Sequence, residues 1–269
     1  MRLFKIKKMT AVLICISLLF IMGSSAFALT ISPPYQTPVI NGYVYTLYSV
    51  ASDRYIAGGG TIEAMAMVNA DTNVPIGYMG ANARLFNSAG SLIASSGTVY
   101  NTSSTSGWIV YSSAISTPGV YYAQNTGSFY NGSGYTVYTG YASPLLTFPS
   151  SGSSSFSKAD KANAEKALNE ILSVSEYNSN RNGETYGSAL SADTIGFEPD
   201  LIAAVGTNGI NGYVRPEDLS PKPSAVGEAL AQVGENGSSR TIPLYTSDGT
   251  TVIGTFDIVT RYEVMSDDK

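Results

Sequence analysis

The stretch VINGYVYTLY, residues 39–48, carries the clearest signal of the fold. It starts with an Asn-Gly turn pair and continues with β-branched and aromatic residues in partial alternation, which is typical of a strand leaving a tight turn. Similar short runs follow, each bounded by Gly, Asn or Ser, and the stretch 61–68 fits either a strand or a short helix. This pattern predicts an antiparallel β-sandwich over residues 29–149. The later runs are 83–86 and 91–95 around a turn at 87–90, then 107–111, 120–123 and 135–138.

One local motif points to a particular kind of sandwich. Residues 115–121 place an apolar residue, a Pro-Gly turn and Tyr121 at the entry to the next strand. This arrangement resembles the tyrosine corner of immunoglobulin-like sandwiches, in which the phenol hydroxyl bonds nearby backbone. Any hairpin with a Pro-Gly turn would explain the same residues equally well, so both interpretations stay open.

Residues 1–28 have the composition of a secretory signal peptide. Four basic residues lie in the first ten positions, an apolar run of 12 residues follows at 11–22, and the segment ends in Ala26-Phe27-Ala28. That apolar run is shorter than the roughly 20 residues that span a bilayer. We therefore expect cleavage after Ala28 and no transmembrane segment in the mature chain. The product would be secreted, either extracellular or loosely associated with the cell wall.

The mature chain contains neither histidine nor cysteine, because the only cysteine, Cys15, lies in the signal peptide. The side chains that most often carry acid–base, nucleophilic and zinc chemistry are therefore missing. A chain exported without cysteines also favours a bacterial source. The mature chain has 11 basic and 20 acidic residues, which disfavours nucleic acid as a partner. We predict a non-catalytic protein without a cofactor or a metal site.

The charges divide the chain into two parts. Residues 85–157 hold no charged side chain, whereas residues 151–269 hold 17 acidic and 9 basic ones. The serine- and glycine-rich stretch 150–157 is typical of a flexible linker. The remainder, 158–269, is expected to be a small acidic α+β domain. Its predicted elements are a helix capped by Ser157 and ending at Leu172, a helix over 224–233, and hairpins around turns at 206–209 and 247–249.

The C-terminal part carries two resemblances. Gly212-Tyr213-Val214, followed by Leu219, is similar to the closing strand and turn of bacterial SH3-like domains, which often bind cell-wall peptides. The segment most like the opening of such a domain, 251–256, comes later in the chain, so the match is a partial hairpin only. Residues 182–256 also resemble the C-terminal module of uncharacterised exported proteins of Gram-positive bacteria. That resemblance implies export and no particular activity.

Aromatic residues suggest the leading functional hypothesis. Fourteen of the 19 tyrosines lie in residues 29–149, and tyrosine offers a rigid apolar ring with a polar tip that can stack on sugars. Tyrosine is also a good strand former, which explains the same density structurally. We predict a binding module whose partner is a surface glycan, peptidoglycan or another envelope protein. The candidate contacts are Tyr43, Tyr45, Trp108, Tyr121, Tyr135 and Tyr138.

Two alternatives remain from the sequence. The uncharged stretch 85–157 suits a toxin- or bacteriocin-like protein, or one that oligomerises. A carboxylate-dependent hydrolase would need two facing acids, and the acids Glu198, Asp200, Glu217 and Asp218 flank the hairpin at 206–209. Residues 178–183 imitate the start of a calcium loop, but the position that requires a glutamate is Ala189.

Overall fold

The computed structural model describes residues 27–56, 59–149 and 157–264. The predicted signal peptide up to residue 26 and the linker residues 150–156 lie outside them. Strands account for 47% of the described residues and helices for 14%, so the prediction of a mainly β protein with antiparallel sheets is confirmed. The strands are β1 (Phe27–Ile31), β2 (Tyr35–Gln36), β3 (Tyr45–Ile56), β4 (Gly59–Val74), β5 (Met79–Asn82), β6 (Arg84–Asn87), β7 (Leu92–Ser95), β8 (Val99–Tyr100), β9 (Thr105–Tyr111), β10 (Gly119–Ala123), β11 (Thr126–Tyr130), β12 (Tyr135–Thr139), β13 (Leu146–Phe148), β14 (Asn178–Ser179), β15 (Thr185–Gly187), β16 (Leu201–Val205), β17 (Asn211–Val214), β18 (Ser239–Tyr245), β19 (Val252–Val259) and β20 (Arg261–Val264).

The Asn-Gly pair forms the tight turn that the sequence predicts. Asn41 and Gly42 both have positive φ angles, 47° and 88°, as a type I′ turn requires. Ile40 and Tyr43 exchange backbone hydrogen bonds of 2.8 and 3.0 Å across it. Beyond this turn β3 pairs with β4 over 12 residue pairs, so the stretch 61–68 is a strand.

The strands form three sheets. A six-stranded sheet has the order β1-β3-β4-β9-β20, with β2 also paired to β3, and a four-stranded sheet has the order β12-β11-β5-β8. A ten-stranded sheet runs from β13 through β10, β6 and β7 into the C-terminal strands. Within it β7 pairs with both β19 and β16, and β16 to β19 pair in succession. These five strands therefore close into a small ring.

The helices are short apart from the first. The helix α1 (Lys158–Leu172) begins at Ser157, whose hydroxyl accepts from Asp160 N while the Asp160 side chain accepts from Ser157 N. This reciprocal pairing satisfies two helix-end donors and confirms the predicted cap. The predicted helix over 224–233 is shorter, because only residues 226–231 are helical. The other helices are a 3₁₀ turn (Ala189–Ser191), α2 (Ala192–Ile195), α3 (Pro216–Leu219) and α4 (Val226–Ala231).

Alternating strand positions build the main core. Tyr45, Leu47 and Ala51 of β3 are at most 1% exposed and join a cluster that includes Trp108. This two-residue period is expected for a strand with one face on a core. A second cluster lies at the ring of five strands, where Phe86 and Leu92 pack with C-terminal residues such as Ile202 and Leu244.

Strand pairings cross the predicted boundary between the two halves. The last described strand, β20, pairs with β9 of the N-terminal half, while β7 of that half takes part in the C-terminal ring. Tyr262 of β20 stacks on Trp108 at a centroid distance of 5.1 Å. The division into domains at residues 29–149 and 158–269 stays a prediction, and the sheets join both sides of it.

Candidate functional site

A cleft of about 720 Å³ lies between the four-stranded sheet and the C-terminal half. One wall comes from residues 192–198, where α2 ends at Gly196 in the left-handed region (φ 95°). Another comes from residues 216–222, around α3 and the turn after it. The opposite side is the sheet itself, so both halves of the chain are needed to build the cleft.

Two rows of cross-strand neighbours form the floor of the cleft. Residues that face each other across a sheet point to the same side, so the register of the four strands aligns their side chains. The rows carry mostly hydroxyl or amide groups. They are Val137, Ser128 and Tyr100 in one row, and Thr139, Thr126 and Asn82 in the other.

The phenol at the inner end of this floor stays a neutral hydrogen-bonding group. Tyr100 Oη lies 3.0 Å from Ser128 Oγ, and burial raises the pKa of Tyr100 to about 12. The floor therefore offers uncharged donors and acceptors at neutral pH.

Aromatic rings line the rim of the cleft. Tyr141 is 47% exposed and Phe197 is 59% exposed, and they are the only exposed aromatic residues among those whose side chains the structure describes. Both line the cleft, from opposite halves. Tyr35 packs edge-on against Tyr141 with centroids 5.5 Å apart, and it also contacts Tyr138 at 6.2 Å. The rim therefore presents flat apolar surfaces above a polar floor.

A buried guanidinium marks the charged end of the cleft. Arg84 is 2% exposed; its Nη1 donates to Glu198 Oε1 at 2.6 Å and its Nε donates to the Gln124 carbonyl at 3.0 Å. The guanidinium also lies 5.5 Å from the centre of the Phe86 ring. Its Nη2 has no hydrogen-bond partner among the described residues. Since burying an unpaired charge is costly, we infer that Glu198 holds Arg84 in place.

Asp193 extends this charged end. Its Oδ1 accepts from Gln124 Nε2 at 2.8 Å. Burial of the carboxylate raises the pKa of Asp193 to about 6, while Arg84 and the bonds from Ala142 and Gln124 lower it. The residue as a whole is exposed, and the solvent that reaches it moderates this shift. Asp193 therefore titrates closer to neutrality than an ordinary aspartate.

Most of the predicted aromatic contacts are buried. Tyr45 stacks on Phe129 at 3.9 Å, and Trp108 Nε1 donates to the Val99 carbonyl. Tyr121 and Tyr135 donate their hydroxyls to backbone carbonyls of Thr117 and Gly77, at 2.7 and 2.6 Å. Each of the four predicted residues is at most 3% exposed, so none presents a ring to a ligand. Strand propensity and core packing account for their position.

The other two predicted contacts are half-buried. Tyr43 packs edge-on against Tyr78 and does not line the cleft. Tyr138 lines it. The structure thus brings one of the six predicted aromatic residues to the cleft and keeps the others away from it.

Two of the four predicted acids line the cleft and two do not. Glu198 lines the cleft, and so does Glu217, whose side chain is 65% exposed. Asp218 is half-buried beside it in α3. Asp200 lies elsewhere and accepts two hydrogen bonds of 2.8 Å from Thr185, which lower its pKa.

The described residues contain no group of three or more histidine, cysteine, aspartate or glutamate side chains that could hold a metal ion.

Sequence reasoning missed Arg84, Asp193, Phe197 and Tyr141. One signal for Arg84 was present, because it is the only charged residue between Asp71 and Lys158. A lone charge in such a stretch has to be accommodated by partners from elsewhere. The exposed Phe197 follows Gly196 outside any strand, so no periodic pattern indicated its role.

No protein family, curated protein or solved structure matches this chain. None of the described helices is long and apolar enough to cross a membrane. The cleft itself is therefore the main guide to function.

Proposed function

We propose that this chain is a secreted, non-catalytic binding protein of the extracellular space or cell envelope. Its ligand would be a surface glycan or the glycan of peptidoglycan, held in the cleft described above. The observation that carries this proposal is the position of Tyr141 and Phe197. Among the aromatic side chains that the structure describes, only these two are exposed, and both flank one hydroxyl-lined floor.

The chemistry of the cleft fits a sugar. A pyranose ring has an apolar face that stacks on aromatic rings and a rim of hydroxyls that exchange hydrogen bonds. The rim of the cleft supplies the rings, and Ser128, Thr126 and Thr139 on the floor supply hydroxyls. At the charged end, Glu198 and Asp193 can accept from sugar hydroxyls. Lys222 and Arg84 balance these acids, so the cleft has no strong excess of one charge.

The proposal includes a fold assignment for each half. We take the N-terminal half to be an immunoglobulin-like sandwich, which is supported by the bond from Tyr121 Oη to the Thr117 carbonyl. We take the C-terminal half to be an α+β module of the kind found in exported Gram-positive proteins. The five-strand ring containing β16 and β17 supports its likeness to SH3-like domains.

A hydrolase is the second candidate, and Asp193 is the observation that favours it. A glycosidase needs one carboxylic acid that keeps its proton and one ionised carboxylate. Asp193 has a raised pKa, and Glu198 lies in the same cleft. Glu198, however, is bound to the buried Arg84 at 2.6 Å, which suits a structural role better than attack on a substrate.

Co-sedimentation of the mature chain with purified peptidoglycan tests the proposal. We expect saturable retention, weakened about five-fold by Phe197→Ala, because one stacked ring contributes about 1 kcal/mol. Val252→Ala is the matched control, since Val252 is 57% exposed and lies outside the cleft. Equal retention of Phe197→Ala and the unmodified chain would contradict the proposal. Release of soluble fragments that stops in Asp193→Asn would favour the hydrolase instead.

A further inference from the structure

The strand β12 ends the four-stranded sheet and has an open side. It pairs with β11 over five residues, and no described strand pairs with its other edge. Its sequence, Tyr-Thr-Val-Tyr-Thr, has high strand propensity and carries no charge or proline. Val137 at its centre is 51% exposed. Such an edge is a ready template for another strand.

The other edge strands in the described ranges are protected. β2, β8 and β14 have two residues each, and β13 has three and precedes Pro149. β20 carries Arg261 and Glu263, and charges of this kind prevent pairing between edges. β1 is as long as β12, but its Thr30 hydroxyl donates to the Pro144 carbonyl at 2.8 Å. β12 is longer than the two- and three-residue edges and has no charge, and the bond that its Thr136 Oγ1 accepts from Asn131 Nδ2, at 2.9 Å, comes from its own hairpin.

We propose that β12 pairs with the β12 strand of a second copy of this chain. Antiparallel pairing around a two-fold axis at Val137 is self-complementary, as a symmetric dimer requires. It places Thr136 opposite Tyr138 and Tyr135 opposite Thr139. These are aromatic and β-branched pairs, which favour strand association. Residues 85–157 contain no charge, so this segment brings no like charges into the contact.

The pairing would also extend the binding surface, a consequence that rests on the proposed function. Paired residues point to the same side of a sheet, so Val137 and Thr139 of both copies lie on one face. The two cleft floors then form one continuous surface across eight strands. A repeating polymer such as a glycan strand can occupy both clefts at once, which raises its apparent affinity.

The oligomeric state of the mature chain, measured without any glycan, tests this pairing. We expect light scattering and sedimentation velocity to show a dimer that dissociates on dilution. Val137→Lys and Val137→Glu should each be monomeric, because two like charges would face each other at the axis. An equimolar mixture of the two should dimerise again. Val252 is a strand valine outside β12 that is 57% exposed, so Val252→Lys should dimerise like the unmodified chain.

Each other outcome overturns the pairing. A monomer at every concentration rules out pairing with a second copy on this edge. That conclusion holds even if β12 binds an extended peptide instead. A dimer unaffected by both Val137 substitutions places the interface elsewhere, and a mixture that stays monomeric excludes the two-fold at Val137. The buried Trp108 reports whether each variant is folded, through its fluorescence. Retention on peptidoglycan is measured in a separate assay. A dimer that does not bind peptidoglycan would contradict the glycan proposal and leave the β12 pairing intact.

Discussion

At the scale of single residues, the cleft depends on how Arg84 is buried. A guanidinium that is 2% exposed needs partners, and Glu198 provides the shortest contact, at 2.6 Å. This pair joins β6 to the segment before β16, so one interaction shapes the site and ties the two halves together. Breaking this ion pair would destabilise the fold, because a buried charge would be left without a partner of opposite charge.

Removing Glu198 should therefore destabilise the protein. For Glu198→Ala we expect the free energy of unfolding in urea to fall by about 3 kcal/mol, because Arg84 loses its charged partner. Glu217→Ala is the control, since that side chain is 65% exposed and lies 3.7 Å from Arg215. Its effect should stay within about 0.5 kcal/mol. Equal effects of the two substitutions would show that the Arg84–Glu198 pair is not a stabilising contact.

Asp193 should make stability depend on pH in a specific window. Burial raises its pKa from 3.8 to about 6, so between these values the folded chain holds a proton that the unfolded chain has released. Its contribution is present below about pH 4 and is lost as the pH rises through about 6. Asp193→Asn cannot ionise, so we expect the melting temperature of the unmodified chain to fall relative to that of Asp193→Asn as the pH rises over that range. A difference that stays constant from pH 4 to pH 7 would contradict the raised pKa.

At the scale of elements, the terminal strand β20 completes the six-stranded sheet. Arg261 Nη1 donates to Glu63 Oε2 at 2.6 Å, and Tyr262 covers Trp108. Trp108 is the only tryptophan in the chain and is fully buried. Its fluorescence therefore reports directly on whether β20 is in place.

A chain that ends at Thr260 should show a red-shifted tryptophan emission. Loss of β20 removes Tyr262 from Trp108 and Arg261 from the buried Glu63, and we expect the unfolding free energy to fall by about 3 kcal/mol. A chain that ends at Val264 keeps every described contact and should match the full-length protein. Unchanged emission after removal of β20 would mean that this strand does not cover Trp108.

Local patterns allowed many elements to be predicted, but not their long-range partners. The Asn-Gly turn at residues 41–42, the Ser157 cap and the hairpin at 247–249 follow from neighbouring residues, and the structure confirms them. The pairing of β20 with β9 joins residues about 150 positions apart, and no local signal encodes it. For the same reason the cleft was missed. Tyrosine density suggested aromatic contacts in this half of the chain but could not separate the buried Tyr135 from the exposed Tyr141.

At the scale of the whole molecule, the two halves share both a core and a site. Phe86 and Leu92 pack with C-terminal residues, and the cleft takes its walls from both halves. Residues 29–149 alone would lose β20 and Glu198 and would expose this apolar surface. We expect that fragment to lack a cooperative unfolding transition in circular dichroism and urea titration. A fragment as stable as the full chain would instead support two independent domains.

We propose that the cleft binds a glycan without hydrolysing it. Calorimetric titration of the mature chain with peptide-free peptidoglycan strands, with reducing ends counted in the same sample, tests it most directly. We expect saturable heat that is lost in the Tyr141→Ala, Phe197→Ala double variant, together with a constant number of reducing ends. Absence of binding heat, binding that survives the double substitution, or a steady increase in reducing ends would contradict it.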